Sequence, residues 1–359
     1  MNTPNYNITN LILYYIVRYE LAVKDITNTH LPGEYFEKTY EKYKAGEIDQ
    51  LGELIGYPVG YNKALTAQRG QIMPSEKDKY RIFSNFRSIN DYIRNYSSRS
   101  AIKPSMEMAV HLNKLLLKGI VDEWDLGKLR TFSDKPNEIY DTWYKYRDFY
   151  PHVKANTYFN DLIHGMVNDK TKTHKLIQLG ILLYEFIDKA PFLTGNQMTT
   201  ILTISTLAKD FGYNPYNLIP WASAINMVNE DLISAFKIAK SKRNITIFLE
   251  AFLYTISLSA IEVSQNVDRT YNNKVKNHSK LREELNQRQI KAMDYLEEFP
   301  KITRGEYTKM MGISFMTSYR DLQELIDKGY IKSKGSGRGS YYVKTEQKVE
   351  NKKKDIEVF

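Results

Sequence analysis

A polar segment divides this sequence into a long part and a short part. Residues Glu262 to Glu284 are almost wholly polar and contain the runs Asn272-Asn273-Lys274 and Lys276-Asn277-His278. The stretch directly before it, Ile245 to Ile261, is strongly apolar. A segment as polar as this buries too little apolar surface to form a core, so it predicts a linker or an exposed helical stalk over residues 263–285. We therefore expect separately folded parts on either side.

Composition excludes several classes of protein. The 359 residues include no cysteine, which rules out a disulfide scaffold, a thiolate zinc site and a cysteine nucleophile, and fits a reducing compartment. With 42% apolar and 26% charged residues the chain is an ordinary globular protein. The 51 basic and 42 acidic residues give a net charge of +9, which permits a polyanionic partner.

Three segments bear on export and membranes. Met1 to Asn10 is polar and lacks the basic region of a signal peptide. The apolar run Leu11 to Val17 has only seven residues. The run Ile245 to Ile261 contains Glu250 and is shorter than the ~20 residues of a spanning helix, so it predicts a buried helix. We expect a cytoplasmic protein without a membrane partner.

Helical spacing organises the long part. Residues 1–103 predict a helical region with breaks at Pro32-Gly33, Gly56-Tyr57-Pro58 and Met73-Pro74. Residues 104–262 predict a second region, whose apolar positions repeat at helical intervals. Its helices are expected over Met106 to Leu117 (ending at Gly119), Phe159 to Met166, Leu176 to Phe186 and Met198 to Leu207. Lys128 to Tyr150 is polar and rich in Tyr and Trp, which suits a hairpin or an exposed loop.

The short part predicts a compact unit over residues 286–345, followed by a charged tail over residues 346–359. Ile290, Met293 and Leu296 mark a first helix. A capping box from Thr303 to Glu306 begins a second helix, and Ser314 caps a third. The second helix is expected to end at Gly312 and the third at Gly329. Two short strands are expected to follow, over Tyr330 to Lys334 and Ser340 to Lys344.

This unit resembles a winged helix-turn-helix, on the residues Ile313-Ser314, Thr317, Arg320-Asp321-Leu322, Leu325 and Gly329-Tyr330-Ile331. The resemblance implies that the third helix enters the major groove of double-stranded DNA and that the hairpin contacts the backbone. The candidate DNA contacts are Ser314, Thr317, Tyr319, Arg320, Lys334 and Arg338.

The alternative is a protein–protein or dimer-forming module. Residues 286–359 carry only 15 Lys and Arg against 11 Asp and Glu, and Phe315 and Met316 occupy positions where a groove-reading helix usually has small or polar groups.

The stretch from Leu183 to Met198 contains Ala190-Pro191-Phe192-Leu193-Thr194-Gly195-Asn196-Gln197-Met198. It resembles the signature of the Fic family, H-P-F-x-[DE]-G-N-G-R-x-x-R, which transfers a nucleotide monophosphate, usually AMP from ATP, onto a protein hydroxyl. The resemblance implies a mainly α fold: a Fic-like helical bundle with a small β-hairpin flap near Asn137 to Tyr146, followed by the winged helix-turn-helix. That arrangement is familiar in bacteria.

The reactive positions of that motif are altered. The position of the family's histidine, a general base, is Ala190, and the position of its Mg²⁺-holding acid is Thr194. Gln197 stands at the second glycine, and Met198 and Ile201 stand at the two phosphate-clamping arginines.

The shape-determining residues Pro191, Phe192, Gly195 and Asn196 remain. Gly195 and Asn196 are therefore a candidate weak anion site.

Two further comparisons concern regulation and a replacement base. The family often carries an inhibitory Ser/Thr-x-x-x-Glu helix, and the best match, Thr66 to Gly70, lacks the acid. Among the six histidines, His164 and His174 are nearest to the motif in sequence, and either is a candidate to face the cleft.

Together these observations favour a catalytically impaired Fic-like regulator that binds DNA and needs no cofactor or metal. One alternative is a protein adenylyltransferase with a substituted base, which would require ATP and Mg²⁺. The other is an interaction or dimerisation scaffold that does not bind DNA; a protein partner or a homodimer is expected in either case.

Overall fold

The computed structural model describes residues 4–54, 57–71, 80–96, 103–130, 143, 155–168, 172–272, 284–335 and 339–345. Within these residues the chain forms fourteen α-helices and one two-stranded antiparallel sheet, which confirms the mainly α prediction. The chain divides into two compact units, Met1–Tyr271 and Asn272–Phe359.

The described residues of the first unit form helices joined by loops and isolated β-bridges. Its helices are α1 (Asn10–Asn28), α2 (Gly33–Leu54), α3 (Tyr61–Gln68), α4 (Arg81–Asn95), α5 (Met106–Leu117), α6 (Ala155–Val167), α7 (Lys175–Lys189), α8 (Asn196–Asp210), α9 (Trp221–Met227), α10 (Asn229–Lys242) and α11 (Thr246–Thr270). The helices expected at α5, α6, α7 and α8 are all present, and α6 and α8 begin four and two residues before their predicted starts at Phe159 and Met198.

Helices α1 and α11 lie side by side and run in the same direction. The Asn7 backbone N–H donates to Thr246 Oγ1 at 2.9 Å, and Thr9 Oγ1 donates to Glu250 Oε1 at 2.6 Å. Glu250, the acidic residue inside the apolar run, thus accepts a hydrogen bond from Thr9, the N-cap residue of α1. Among the described helices, α11 is long and apolar enough to cross a membrane, but half of its apolar window is buried inside the protein.

The segment predicted as a linker or helical stalk begins inside helix α11. Helix α11 continues to Thr270, and its residues Val263 and Val267 are buried in the same core as Ile256 and Ala260. These four residues repeat at helical spacing, so a polar-looking stretch still contributes an apolar stripe to the first unit.

Helices α1 to α4 share one hydrophobic core with the rest of the first unit, so residues 1–103 have no separate core. A buried ion pair within α2 orients one of the groups that connect this region to the rest: Lys44 Nζ lies 2.8 Å from Glu47 Oε2. The other oxygen of Glu47 accepts the Ala222 backbone N–H at 3.0 Å, which ties α2 to α9.

The second unit matches the order of elements predicted for residues 286–345. It contains α12 (Gln287–Glu298), α13 (Arg304–Met311), α14 (Phe315–Asp327), β1 (Ile331–Lys334) and β2 (Tyr341–Lys344), with Ile331 opposite Lys344. The Thr303 capping box, the Ser314 cap and the left-handed Gly312 are all present.

A buried carboxylate joins the helices of this unit. Arg288 Nε donates to Asp321 Oδ2 at 2.8 Å, and the Tyr307 hydroxyl donates to the same oxygen at 3.0 Å. Burial alone would raise the pKa of Asp321, but the hydrogen bonds from Arg288 and Tyr307 outweigh it and lower the pKa.

Several sequence predictions concern residues outside the described part. The expected hairpin near Asn137 to Tyr146 lies there apart from Trp143, as do Arg338 and the charged tail.

Candidate functional site

The segment Ala190 to Met198, which resembles the Fic signature, comprises the loop after α7 and the first residues of α8. Helix α7 ends at Ala190, whose backbone is left-handed (φ 39°, ψ 70°) and whose N–H donates to Phe186 O at 2.9 Å. A left-handed alanine is strained, so neighbouring groups must hold it in place. The methyl group of Ala190 is fully buried.

Arg130 supplies that restraint. Its Nε donates to Ala190 O at 2.6 Å and its Nη2 donates to Lys189 O at 2.7 Å. The backbone of Arg130 also donates to Pro191 O, and Leu193 donates to Lys128 O. The strip from Lys128 to Arg130 therefore fixes the loop, and its positive charge neutralises the carbonyl end of α7.

The pair Gly195-Asn196 shapes the turn into α8. Gly195 is left-handed (φ 74°) and precedes the first residue of the helix. The Asn196 side chain closes the loop on itself, since its Oδ1 accepts the Phe192 N–H and its Nδ2 donates to Phe192 O, both at 2.8 Å. Because these bonds use both ends of the buried amide, Asn196 acts here in shaping the turn.

A residue that sequence reasoning missed joins these segments. Asn113, buried on α5, donates to Thr194 O and to Thr199 Oγ1 at 2.9 Å each, and it accepts the Gly127 N–H at 2.9 Å. One side chain thereby connects α5, the segment at Gly127, the motif loop and α8. The signal available in the sequence was an amide on the apolar face of α5, four residues after Ala109 and four before Leu117.

The residues at the altered positions are packed inside the protein. Thr194, Gln197, Met198 and Ile201 are all buried, Met198 and Ile201 completely. The Gln197 amide lies 3.3 Å from Asn226 Oδ1, and Asn226 also reaches Met198 Sδ. Met198 and Ile201 therefore belong to the hydrophobic core of the first unit, and Gln197 is held by a polar contact with α9.

Trp143 lies beside this group. Its indole N–H donates to Asn229 Oδ1 at 2.5 Å, and the ring is fully buried. Gln197 Nε2 lies 3.5 Å from the same oxygen, so the indole and the Gln197 amide meet at the start of α10.

The two histidines nearest to the motif in sequence do not reach it. His174 caps the N-terminus of α7 and lies 3.0 Å from Glu20, whereas the motif follows the C-terminus of that helix, about 22 Å away at 1.5 Å per residue. Helices α6 and α7 are antiparallel, because Tyr158 bonds to Glu185 and Lys175 bonds to Met166 O. His164 therefore lies near the end of α7 that is remote from the motif.

Another histidine, His111, lines a cleft next to the segment Lys128 to Arg130. The cleft, about 440 Å³, is bordered by Glu107, Val110, His111, Lys114, Gly127, Leu129 and Asn156. Leu129 pairs with Phe192 of the motif loop. Burial and the nearby Lys114 lower the pKa of His111, which favours the neutral form of its ring. No cluster of three or more His, Asp or Glu residues suited to a metal occurs among the described residues.

The segment Thr66 to Gly70, which lacks the acid of the family's inhibitory helix, begins in the last turn of α3. This helix packs mainly against α2 and α4, and Arg69 at its end pairs with Glu41 at 3.1 Å.

The candidate DNA contacts among the described residues lie at the N-cap of α14, along α14 and at the end of β1. Ser314 caps α14, its Oγ accepting the Thr317 N–H at 3.1 Å, while Tyr319, Arg320 and Lys334 are exposed. Two apolar side chains at the start of α14 are exposed as well: Phe315 is 58% exposed and Met316 is 62% exposed.

A guanidinium group lies over two aromatic rings of α14. Arg304 of α13 lies 5.1 Å from the ring centres of both Phe315 and Tyr319. The start of α14 thus presents aromatic and apolar groups together with basic ones.

The fold is that of solved Fic proteins. A Fic family protein from Desulfovibrio desulfuricans G20 matches with a TM-score of 0.68 and 15% identity, over 96% of this chain and 99% of that one. A Fic-domain-containing signaling protein from Bacteroides thetaiotaomicron VPI-5482 matches with a TM-score of 0.52 and 15% identity, over 74% of this chain and 98% of that one. No family model and no curated protein matches the sequence. The chain therefore has a Fic-like fold.

Proposed function

We propose that this chain is a catalytically impaired Fic-like protein that serves as a regulator, and that its C-terminal unit is a winged helix that binds double-stranded DNA. The observation that carries the first half is the filled motif loop. From Ala190 to Met198 it has no titratable side chain, and Met198 and Ile201 are packed in the core.

Nucleotide transfer needs charge that this loop lacks. A triphosphate requires cations and N–H donors to balance its negative charge, and the transferred group requires a base for the attacking hydroxyl. The Asn196 amide is occupied by Phe192, and neither a carboxylate nor an arginine stands at the altered positions. We expect ATP to bind more weakly than ~1 mM, a value that titration calorimetry tests directly.

The test of catalysis is incorporation of label from radioactive ATP, GTP, CTP or UTP, with Mg²⁺ or Mn²⁺, into the protein itself and into cell extract. We expect none, and Ala190→His alone should not restore it, because the phosphate contacts are still missing. Nucleotide-specific labelling that His111→Gln abolishes and His174→Gln preserves would overturn the proposal. It would instead support a transferase that uses His111 as its base.

DNA binding is supported by the exposed Arg320 on α14 and by Lys334 at the end of β1. If α14 reads base edges, Arg320→Ala should weaken one preferred sequence more than random DNA, by ~1–3 kcal/mol. Lys334→Ala should weaken all sequences alike and reduce the salt dependence. Gel shifts of genomic fragments at ~100 mM salt measure both effects, and Lys291→Ala, at an exposed lysine of α12, is the matched control.

The interaction-scaffold alternative has its own support in Phe315 and Met316, whose exposed side chains suit a protein partner better than a DNA groove. No retained fragment at micromolar protein, or retention unchanged after deletion of residues 286–359, would favour this alternative.

A further inference from the structure

Helix α1 exposes an apolar stripe on the side opposite the core. Its core face consists of Ile12, Ile16, Tyr19, Ala22 and Ile26. The outer stripe consists of Leu13, Tyr14, Val17 and Leu21, each slightly more than half exposed. These four residues lie within about 100° of the helix circumference, since successive residues turn by 100°. The helix is therefore apolar on two faces, and the first unit covers only one of them.

Helix α11 continues this surface. Its residues Ile247, Tyr254 and Leu258, 38–45% exposed, recur at intervals of seven and four. Tyr15 connects the two stripes, because its ring lies 5.5 Å from that of Tyr14 and 5.4 Å from that of Tyr254. We call the seven outer residues of the two helices the α1/α11 face.

The face is large enough to form an interface. About half of seven large side chains, at about 180 Å² each, amounts to roughly 600 Å². The largest apolar patch on a typical monomer is about 300–600 Å². A standard interface buries about 800 Å² per partner, of which a little over half is apolar, or roughly 450–500 Å². One such face on each partner therefore supplies the whole apolar part of a stable interface.

The charges around the face disfavour a lipid surface. Helices α1 and α11 together carry three basic residues, Arg18, Lys24 and Arg269, against five acidic ones, although the whole chain is +9. Helices that lie on membranes carry Lys and Arg on their polar side, which attract anionic lipids. The net negative charge of the two helices would repel both anionic lipids and nucleic acid.

We propose that the α1/α11 face binds a second copy of this chain, with α1 packed antiparallel against its counterpart around a two-fold axis at Val17. The spacing of the stripe supports this occupant, because Leu13 and Leu21 lie four residues on either side of Val17. The axis places Leu13 against the partner's Leu21, Val17 against the partner's Val17, and Asn10 near the partner's Lys24. The stripe is thus self-complementary, as an isologous interface requires.

The first test is the mass of the full-length protein by sedimentation equilibrium between 1 and 100 μM, in wild type, Val17→Glu and Met227→Glu. Met227 is a matched control because it is an isolated apolar residue, 72% exposed, on α9. We expect a dimer in the wild type and the control, and at least a 100-fold weaker dimer in Val17→Glu with unchanged circular dichroism. A monomeric wild type, or a dimer that Val17→Glu leaves intact, overturns the proposal.

The second test concerns the register. Leu13→Lys and Leu21→Glu should each weaken the dimer, and the double variant should restore it, because each new lysine then faces a new glutamate across the axis. Val17→Cys introduces the single cysteine of the chain, so mild oxidation should yield a covalent dimer that Met227→Cys does not. Failure of both the restoration and the cross-link refutes the two-fold axis at Val17.

A last control addresses lipid. Binding of monomeric protein to vesicles of phosphatidylcholine with 30% phosphatidylglycerol, lost in Val17→Glu, would assign the face to a membrane and overturn the proposal. The dimer does not depend on the proposed function, because its tests measure mass and cross-linking rather than labelling or DNA retention. If DNA binding holds as well, a two-fold dimer presents two C-terminal units, which fits palindromic sites.

Discussion

Replacing Asn113 by leucine should destabilise the first unit by about 3 kcal/mol. The two side chains branch at the same atom and have similar size, so the substitution mainly removes hydrogen bonds. It leaves the Gly127 N–H, the Thr194 carbonyl and the Thr199 hydroxyl without their partner inside the protein. Each unsatisfied buried group costs about 1–3 kcal/mol, and rotation of the hydroxyl together with the added apolar contacts offsets part of the sum.

Urea unfolding followed by tryptophan fluorescence is the appropriate assay. All three tryptophans, Trp124, Trp143 and Trp221, lie in the first unit, so the signal reports that unit alone. With a urea dependence of about 3 kcal/mol per molar, the midpoint should fall by about 1 M. Asn95→Leu, at an exposed amide that bonds only within its own helix, should shift it by less than about 0.2 M. An equally small shift for Asn113→Leu would refute the role assigned to Asn113.

Three further substitutions test other parts of the structure. Gly195→Ala should lower the stability of the first unit by about 1–2 kcal/mol in the same assay, because alanine is strained at φ 74°. Glu47→Leu should cost about 3–5 kcal/mol by leaving Lys44 buried without its partner, and adding Lys44→Met should recover part of that loss; equal midpoints for the single and double variants would contradict this. Asp321, whose pKa is lowered in the folded protein, contributes stability that is fully present above its unfolded pKa of about 3.9 and is lost as the pH falls through the folded pKa. Calorimetry should therefore show the second unit losing stability below about pH 4 in wild type, and a smaller pH dependence in Asp321→Asn, which lacks the ionic pair with Arg288.

Local signals in the sequence were sufficient for much of the fold. The capping box at Thr303, the glycine at position 312 and the apolar spacing of α5 and α7 depend on residues within one or two turns of each other, and each is confirmed. The start of α8 was misplaced because Gly195-Asn196 is usually a turn signal. In this fold Asn196 is itself the first helical residue, and its side chain bonds back to the preceding loop.

What the sequence did not predict depends on contacts between distant residues. The side-chain bonds of Arg130 to the motif loop and of Asn113 to three segments join residues 14–86 positions apart. The substitutions at the motif could be read from the sequence, but the burial of Met198 and Ile201 could not. It depends on how α5, α8 and α9 pack together.

That burial also limits what single substitutions can do at these two positions. Met198 and Ile201 belong to the core, so an arginine placed at either position puts a cation in an apolar interior, at a cost of several kcal/mol. Such a variant loses folded protein before its guanidinium can meet any ligand. A functional arginine here therefore requires that the contacts of α8 with α5 and α9 be rebuilt at the same time.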